Sequence, residues 1–176
     1  MTEIEIRQET PEDYSTVENI VQQSFLNEEF SDHCEHLLVR RLRESSSFVP
    51  ELSLVAEFNQ EIIGYILFTE ITIGEQVCLA LAPLAILPDY QNHKIGGSLI
   101  KEGHLLAKKL GYPVSVVMGH AEYYPRFGYI PASEFGIKSP FKVSSEDFLA
   151  VELLPNTIQH ISGLVQYSSD FCKKSV

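Results

Sequence analysis

Leu84-Ala85-Ile86-Leu87-Pro88-Asp89-Tyr90-Gln91-Asn92-His93-Lys94-Ile95-Gly96-Gly97-Ser98-Leu99-Ile100 reads as a strand that empties through a polar turn onto the start of a helix. The first turn of a helix leaves backbone N–H groups unpaired and carries the positive end of the dipole. An anion placed there gains hydrogen bonds and favourable charge together. Gly96 and Gly97 remove the side chains that would keep a diphosphate from that backbone. Downstream, Ile95, Leu99, Ile100, Leu106 and Leu110 recur at near-helical spacing, with Gly103 and Ala107 on the same stripe, which predicts a helix with one buried face. A glycine-rich turn alone suits a tight loop feeding an ordinary packed helix equally well, so the surrounding chain has to decide.

Upstream, Ile4 and Ile6 alternate with polar neighbours as a short strand. Thr10-Pro11-Glu12-Asp13 then supplies a cap, a proline for the first helical position and acids for the first turn. Tyr14, Val17, Ile20, Val21 and Phe25 make the apolar stripe of a helix over about 11–25. A second helix carries Cys34, Leu37, Leu38, Arg41 and Leu42 and closes at Ser45-Ser46-Ser47. From residue 51 to 87 the texture changes to three apolar, β-branched runs, 52–58, 62–71 and 77–87, joined by the turns Asn59-Gln60-Glu61 and Ile73-Gly74-Glu75-Gln76.

The glycine helix ends at Gly111, which suits a left-handed cap, and Val114 to Met118 follow as a buried strand. Strand, helix, strand in that order implies one parallel pair with a right-handed crossover. Residues 119–129 read as a turn with a short helix broken at Pro125, and 148–154 as a late strand. Residues 162–176 read equally as a helix, a dimer arm or a tail, and a homodimer is among the assemblies the sequence allows. The expected class is α+β: a mixed, mostly antiparallel central sheet flanked by helices, with one β-α-β crossover. The repeated βαβ alternation of a dinucleotide-binding domain is missing.

The 176 residues fit one domain, and 44% hydrophobic with 21% charged residues is ordinary globular composition. Cys34, Cys78 and Cys172 have neither CxxC spacing nor an even count, which argues against a disulfide framework and against a metal site. Cys78 reads as a core residue. The start of the chain lacks the basic and apolar regions of a signal peptide, and the run 77–87 is too short to span a bilayer, so a cytoplasmic protein is expected.

The net charge of −11 argues against nucleic acid as a partner. Residues 1–35 hold ten acids against Arg7 alone, whereas 91–110 carry Lys94, Lys101, Lys108 and Lys109 against Glu102. Such a division favours an anionic ligand at the glycine turn and a cationic one elsewhere. Lys108 and Lys109 simply suit a helix end. Lys94, at a helix start, is unfavourable unless an anion joins it.

The turn at 91–97 after Leu-Ala-Ile-Leu-Pro, together with Tyr-Tyr-Pro-Arg-Phe-Gly-Tyr at 123–129, resembles the GNAT superfamily of acyl-CoA-dependent N-acetyltransferases, in particular its YhbS-like branch. The resemblance runs from the N-terminal strand and helix pair to about Ala132 and rests on two motifs in the right order. It implies acetyl-CoA as cosubstrate, with no metal. It also implies that the backbones of Leu84, Ala85 and Ile86 pair with the pantetheine arm like an added strand. The diphosphate would lie on Asn92 to Gly97, and the full implied binding set is Leu84, Ala85, Ile86, Gln91, Asn92, His93, Lys94, Ile95, Gly96, Gly97 and Ser98. The family writes its turn Gln/Arg-x-x-Gly-x-Gly/Ala; here Lys94 stands where the first glycine is usual.

The tyrosine five residues before the last aromatic of the second motif corresponds to Tyr124, which the resemblance implies as general acid. A phenol of high pKa can donate a proton to a departing thiolate. Arg126 suits either a pocket or a surface role. An amine acceptor is mostly protonated at neutral pH and needs a base, yet residues 77–87 contain no Asp, Glu or His. Glu35, Glu29 (with neighbouring Glu28) and His120 remain open as alternatives. The expected function is acetyl transfer to a primary amine of a small molecule or peptide, cationic by the charge argument. A non-catalytic acyl-CoA-binding or sensing module is the rival, and a different phosphate-ligand protein a third.

Overall fold

The structure is a computed structural model, and it describes residues 3–29 and 31–172. Nine strands form the sheet: β1 Glu5–Gln8, β2 Phe48–Phe58, β3 Glu61–Ile73, β4 Gln76–Ile86, β5 Val114–Met118, β6 Ile130–Pro131, β7 Ile137–Lys138, β8 Phe148–Glu152 and β9 Gly163–Gln166. Their order is β1-β2-β3-β4-β5-β8-β6, with β9 pairing the far end of β3 and also β7. The β4–β5 pair is parallel, as the crossover requires, and so is β7–β9. The helices are α1 Tyr14–Ser24, α2 Glu35–Arg43, α3 Ile95–Lys109 and the four-residue α4 Ser169–Cys172. Among the described residues no helix is long and apolar enough to cross a membrane.

Helix α1 starts as anticipated, with Pro11–Asp13 forming a 3-10 turn ahead of it. The Asp13 carboxylate accepts the Thr10 N–H at 2.8 Å and its hydroxyl at 3.1 Å. It also takes the Arg7 guanidinium at 2.8 Å, which holds Asp13 well below the usual carboxylate range, at about 2. In α2 the buried residues are Val39 and Leu42, while Cys34 is the cap rather than a helical residue. Helix α3 buries Ile95, Leu99, Ile100, Gly103 and Ala107, but Leu110 is 43% exposed. The reason is the helix end: Gly111 takes φ +90°, its N–H bonds the Lys108 carbonyl, and the Tyr112 N–H bonds that of Ala107. This left-handed cap turns position 110 off the core stripe.

Both sheet faces are covered, which is why β3 and β4 read as nearly continuous apolar runs. On one face α3 packs with Leu54, Ile66, Phe68, Leu79 and Leu81. On the other, α1 and α2 pack with Val55, Tyr65, Leu67 and Ala85. A third cluster, around Cys78, Ala80, Val114, Val116 and Phe148, extends the core under β5 and β8. Burial there pushes the Cys78 thiol up to about 12, so it stays an inert core group.

Strand β4 changes parity in its middle. Ile66 faces Leu84 and Phe68 faces Leu81, so β4 holds one residue more than β3 across this interval, at Ala82-Pro83. Leu79 and Leu81 point to the α3 side before the bulge; Leu84 and Ile86 do so after it, and Ala85 points the opposite way. Pro83 fits a bulge because no ladder N–H is needed from it.

Some local expectations change. Pro125 does not break a helix: it occupies the opening turn of the 3-10 segment Tyr124–Phe127, where its missing N–H costs nothing. The stretch after residue 162 forms β9 and α4 rather than one helix, and its last four residues lie outside the described ones. Strands β6, β7 and β9 are too short to show as periodicity, and their pairing partners create them.

Candidate acyl-CoA site

Strands β4 and β5 pair only over Leu79–Leu81 and Ser115–Val117, after which β4 keeps β3 as its neighbour and β5 keeps β8. A gap opens between them at the C-terminal ends of a parallel pair. The Leu87 N–H bonds the Ile63 carbonyl at 2.9 Å, so two-residue alternation directs the backbone groups of Ala85 to β3 and those of Leu84 and Ile86 to the gap. The Ile86 carbonyl is already occupied by the Ser24 hydroxyl at 2.8 Å and the Gln91 amide at 3.2 Å. An added chain in the gap therefore meets the Leu84 N–H and C=O and the Ile86 N–H.

The polar turn begins with a 3-10 segment, Pro88–Tyr90, and delivers the chain onto α3. His93 Nδ1 bonds the Gln91 carbonyl at 2.8 Å, and the Ser98 hydroxyl donates to the Lys94 carbonyl at 3.2 Å. Asn92 and Lys94 both take positive φ, +66° and +64°. Lys94 thus adopts the left-handed conformation for which glycine is the easy choice. A left-handed residue leading into right-handed Ile95 turns successive N–H groups toward one concavity, a geometry that holds anions.

The glycine pair does something other than expected. A methyl group on Gly96 would lie 2.6 Å from the Tyr123 hydroxyl oxygen, and one on Gly97 would lie 3.1 Å from the Phe127 ring. Gly96 and Gly97 clear room for the aromatic residues of the second motif to lie on α3.

Tyr124 is 9% exposed, with its ring over Gly119 at the end of β5; a methyl there would be 2.3 Å from the ring. Its edges meet Tyr123 and Tyr129, at centroid separations of 5.2 and 5.8 Å. Burial raises the phenol well above its ordinary value, so it stays protonated, and its hydroxyl has no hydrogen-bond partner among the described residues. Behind it, Tyr129 is fully buried, its hydroxyl bonded to Ser115 at 2.9 Å and to His104 Nε2 at 3.0 Å. Burial, helped by Lys108, pushes His104 down to about 4, leaving it neutral at physiological pH. This polar group under the tyrosines was not read from the sequence. Its one signal is that His104 follows Gly103 and Ile100 on the buried stripe of α3.

The proposed bases are dispersed. Glu35 opens α2 and accepts the Ser31 hydroxyl at 2.6 and 2.7 Å. Glu28 and Glu29 are exposed in the α1–α2 connection. His120 is exposed directly after Gly119, and its carbonyl receives the N–H groups of Tyr123 and Tyr124 at 3.1 and 3.4 Å. Of the four, only His120 is brought to the tyrosine motif. Asp147 was not singled out, yet its carbonyl takes the Gly119 N–H at 2.9 Å, placing it beside the seat of Tyr124.

A sheet whose parallel strands part beside a helix N-terminus offers a free strand edge next to an anion-favouring turn, and comparison with known proteins finds relatives of this fold. Residues 50–131, which contain both motifs, match the acetyltransferase (GNAT) domain family. The chain is 40% identical over 114 residues to the Escherichia coli (strain K12) protein described as the uncharacterized N-acetyltransferase YjhQ; the match spans 62% of this chain and 63% of that protein. The structure of the E. coli GNAT family N-acetyltransferase YhbS in complex with CoA superposes with a TM-score of 0.89 at 26% identity, covering 100% of this chain and 96% of the other. A GNAT family acetyltransferase from Brucella melitensis in complex with acetyl-CoA gives a TM-score of 0.80 at 27% identity, with coverage of 96% and 98%. Residues 50–131 of this chain thus match the GNAT acetyltransferase domain, and the fold around them is shared with solved GNAT acetyltransferases.

Proposed function

We propose that this chain transfers an acetyl group from acetyl-CoA to a primary amine by direct attack in a ternary complex. The observation that carries this reading is the opening between β4 and β5, with the free backbone groups of Leu84 and Ile86 along one wall. The turn 92–96 follows the C-terminal end of β4, and Tyr124, its hydroxyl unpartnered among the described residues, lies against Gly119 just beyond the C-terminal end of β5. The residues fit the cosubstrate: an edge for an amide-bearing arm, a concavity of N–H groups for a diphosphate, and a proton donor for a leaving thiolate. Acetyl-CoA, when bound, supplies the activated acyl group as a thioester. Leu84 and Ile86 align the arm, the turn 91–98 holds the phosphates, and Tyr124 delivers its proton to the departing sulfur.

The acceptor is read as cationic, on a narrower basis than whole-chain charge. Glu9, Asp13 and Glu18 are engaged by Arg43, Arg7 and Arg40; of the N-terminal acids with no arginine partner among the described residues, Glu28, Glu29 and Asp32 cluster in the α1–α2 connection and Glu3, Glu5 and Glu12 lie near the start of the chain. Acetyl-CoA is expected to raise the melting temperature where ADP raises it much less, and a panel of polyamines, amino sugars and lysine peptides to include an acceptor whose addition releases free CoA thiol. Stabilisation without thiol release from any amine indicates the non-catalytic binding module. Equal stabilisation by ADP indicates a different phosphate ligand.

Lys94 offers an independent check of the phosphate end. Replacing it with glycine suits the loop's positive φ, so the fold is retained, but it removes an exposed cation beside the proposed diphosphate. Calorimetry is expected to find acetyl-CoA binding weakened about threefold at low ionic strength, with the difference vanishing toward 1 M salt, where the Debye length is about 3 Å. A salt-independent difference would reject a charge contact.

A further inference from the structure

The first residue of the tyrosine motif lies in a place that packing alone does not explain. The Tyr123 hydroxyl oxygen rests over Gly96, in the first turn of α3, where a methyl group would be 2.6 Å away, and Leu84 converges on the same spot at 3.5 Å. Thus the residue before Tyr124 stands where the turn 92–96 meets the gap-lining strand. Its ring is half-buried, held between Tyr124 at 5.2 Å and Phe127 at 5.4 Å.

The hydroxyls of Tyr65, Tyr112 and Tyr129 are bonded to Ser53, to Glu70, and to Ser115 with His104, respectively. That of Tyr123 has no partner among the described residues. Its surroundings are electropositive: the N-terminal N–H groups of α3 lie beneath it, and the Arg126 guanidinium sits 5.7 Å from its ring centroid. A neutral O–H donor placed over a helix N-terminus, near a cation and without an internal acceptor, is suited to a negatively charged oxygen.

We propose that Tyr123 is a binding residue for acyl-CoA, donating its hydroxyl hydrogen to a diphosphate oxygen above the first turn of α3. Two adjacent tyrosines then have separate tasks: Tyr123 binds the diphosphate, and Tyr124 keeps the proton-donor role given above. Their rings meet edge-on, 87° apart. Gly96 is required because any side chain there would displace the hydroxyl.

This inference rests on the acyl-CoA reading above, and the test separates the two. Tyr123→Phe keeps the ring that packs on Gly96 and Phe127, so its melting temperature without ligand is expected to stay close to that of the unaltered chain. Calorimetric titration with acetyl-CoA, and with adenosine 3′-phosphate 5′-diphosphate, which carries the diphosphate end without pantetheine, is expected to show both weakened about tenfold by the substitution. Tyr124→Phe should weaken neither. Unchanged affinity for both ligands in Tyr123→Phe overturns the proposal, and so does a loss confined to acetyl-CoA, which would put the hydroxyl on the pantetheine arm. Failure of the unaltered protein to bind acetyl-CoA removes the underlying reading instead.

Discussion

Tyr124→Phe is expected to lower turnover on a verified amine acceptor by about 10²-fold or more, while acetyl-CoA affinity stays within about twofold, since a positioned general acid contributes about 10²–10⁴-fold. The geometry makes this a clean substitution. Phenylalanine keeps the ring over Gly119 and its edge contacts with Tyr123 and Tyr129. The deleted hydroxyl leaves no orphaned partner, because none is bonded to it among the described residues. Loss of turnover would then report the missing proton rather than a disturbed core. The desolvated phenol is protonated across the neutral range, so the variant's deficit should not vary between pH 6 and 9. Unchanged turnover would remove Tyr124 from the chemistry.

The largest effect on stability is expected at Arg43, 5% exposed along its side chain, which bridges Glu9, 1% exposed, and Glu18 while its guanidinium lies 4.0 Å from the Tyr14 ring centroid. Glu9 also accepts the Ser53 hydroxyl at 2.8 Å, and Ser53 bonds the Tyr65 hydroxyl at 2.6 Å. The network ties α2 and α1 to the start of the chain and to β2 and β3. Arg43→Ala leaves the Glu9 charge buried without its cation, a defect of about 3–5 kcal/mol. Urea denaturation should register that loss in Arg43→Ala. The double variant Glu9→Leu/Arg43→Met, which removes both charges and keeps apolar volume, should recover most of it. A single-variant loss below about 1 kcal/mol would mean that water reaches Glu9. Loosening α2 would also displace Glu35 at its start and the connection that holds Glu28 and Glu29.

The three long strands, their two hairpins and the crossover were legible because each is written locally. Asn59 and Gln60 both take positive φ in a two-residue turn, between Phe58 and Glu61 that pair directly. Gly111 caps α3 where its pattern stops. The Glu9–Arg43 pair was not legible, since 34 positions separate partners that only the packing of α2 on β2 and β3 brings together. Nor was the role of Gly96 and Gly97: a glycine announces that something comes close, and only the fold says that it is Tyr123 and Phe127.

By itself, the sequence determined the three long strands, the first three helices, the parallel crossover and the polar turn that opens α3. Periodicity, caps and short motifs act over one or two turns of chain, and so they are readable in one dimension. The tertiary structure alone decided which edge groups of β4 face the gap, through a bulge whose one extra residue switches the strand's parity. It also set Tyr123 over the first turn of α3. These are outcomes of register and close packing between segments far apart in sequence, which no local pattern encodes.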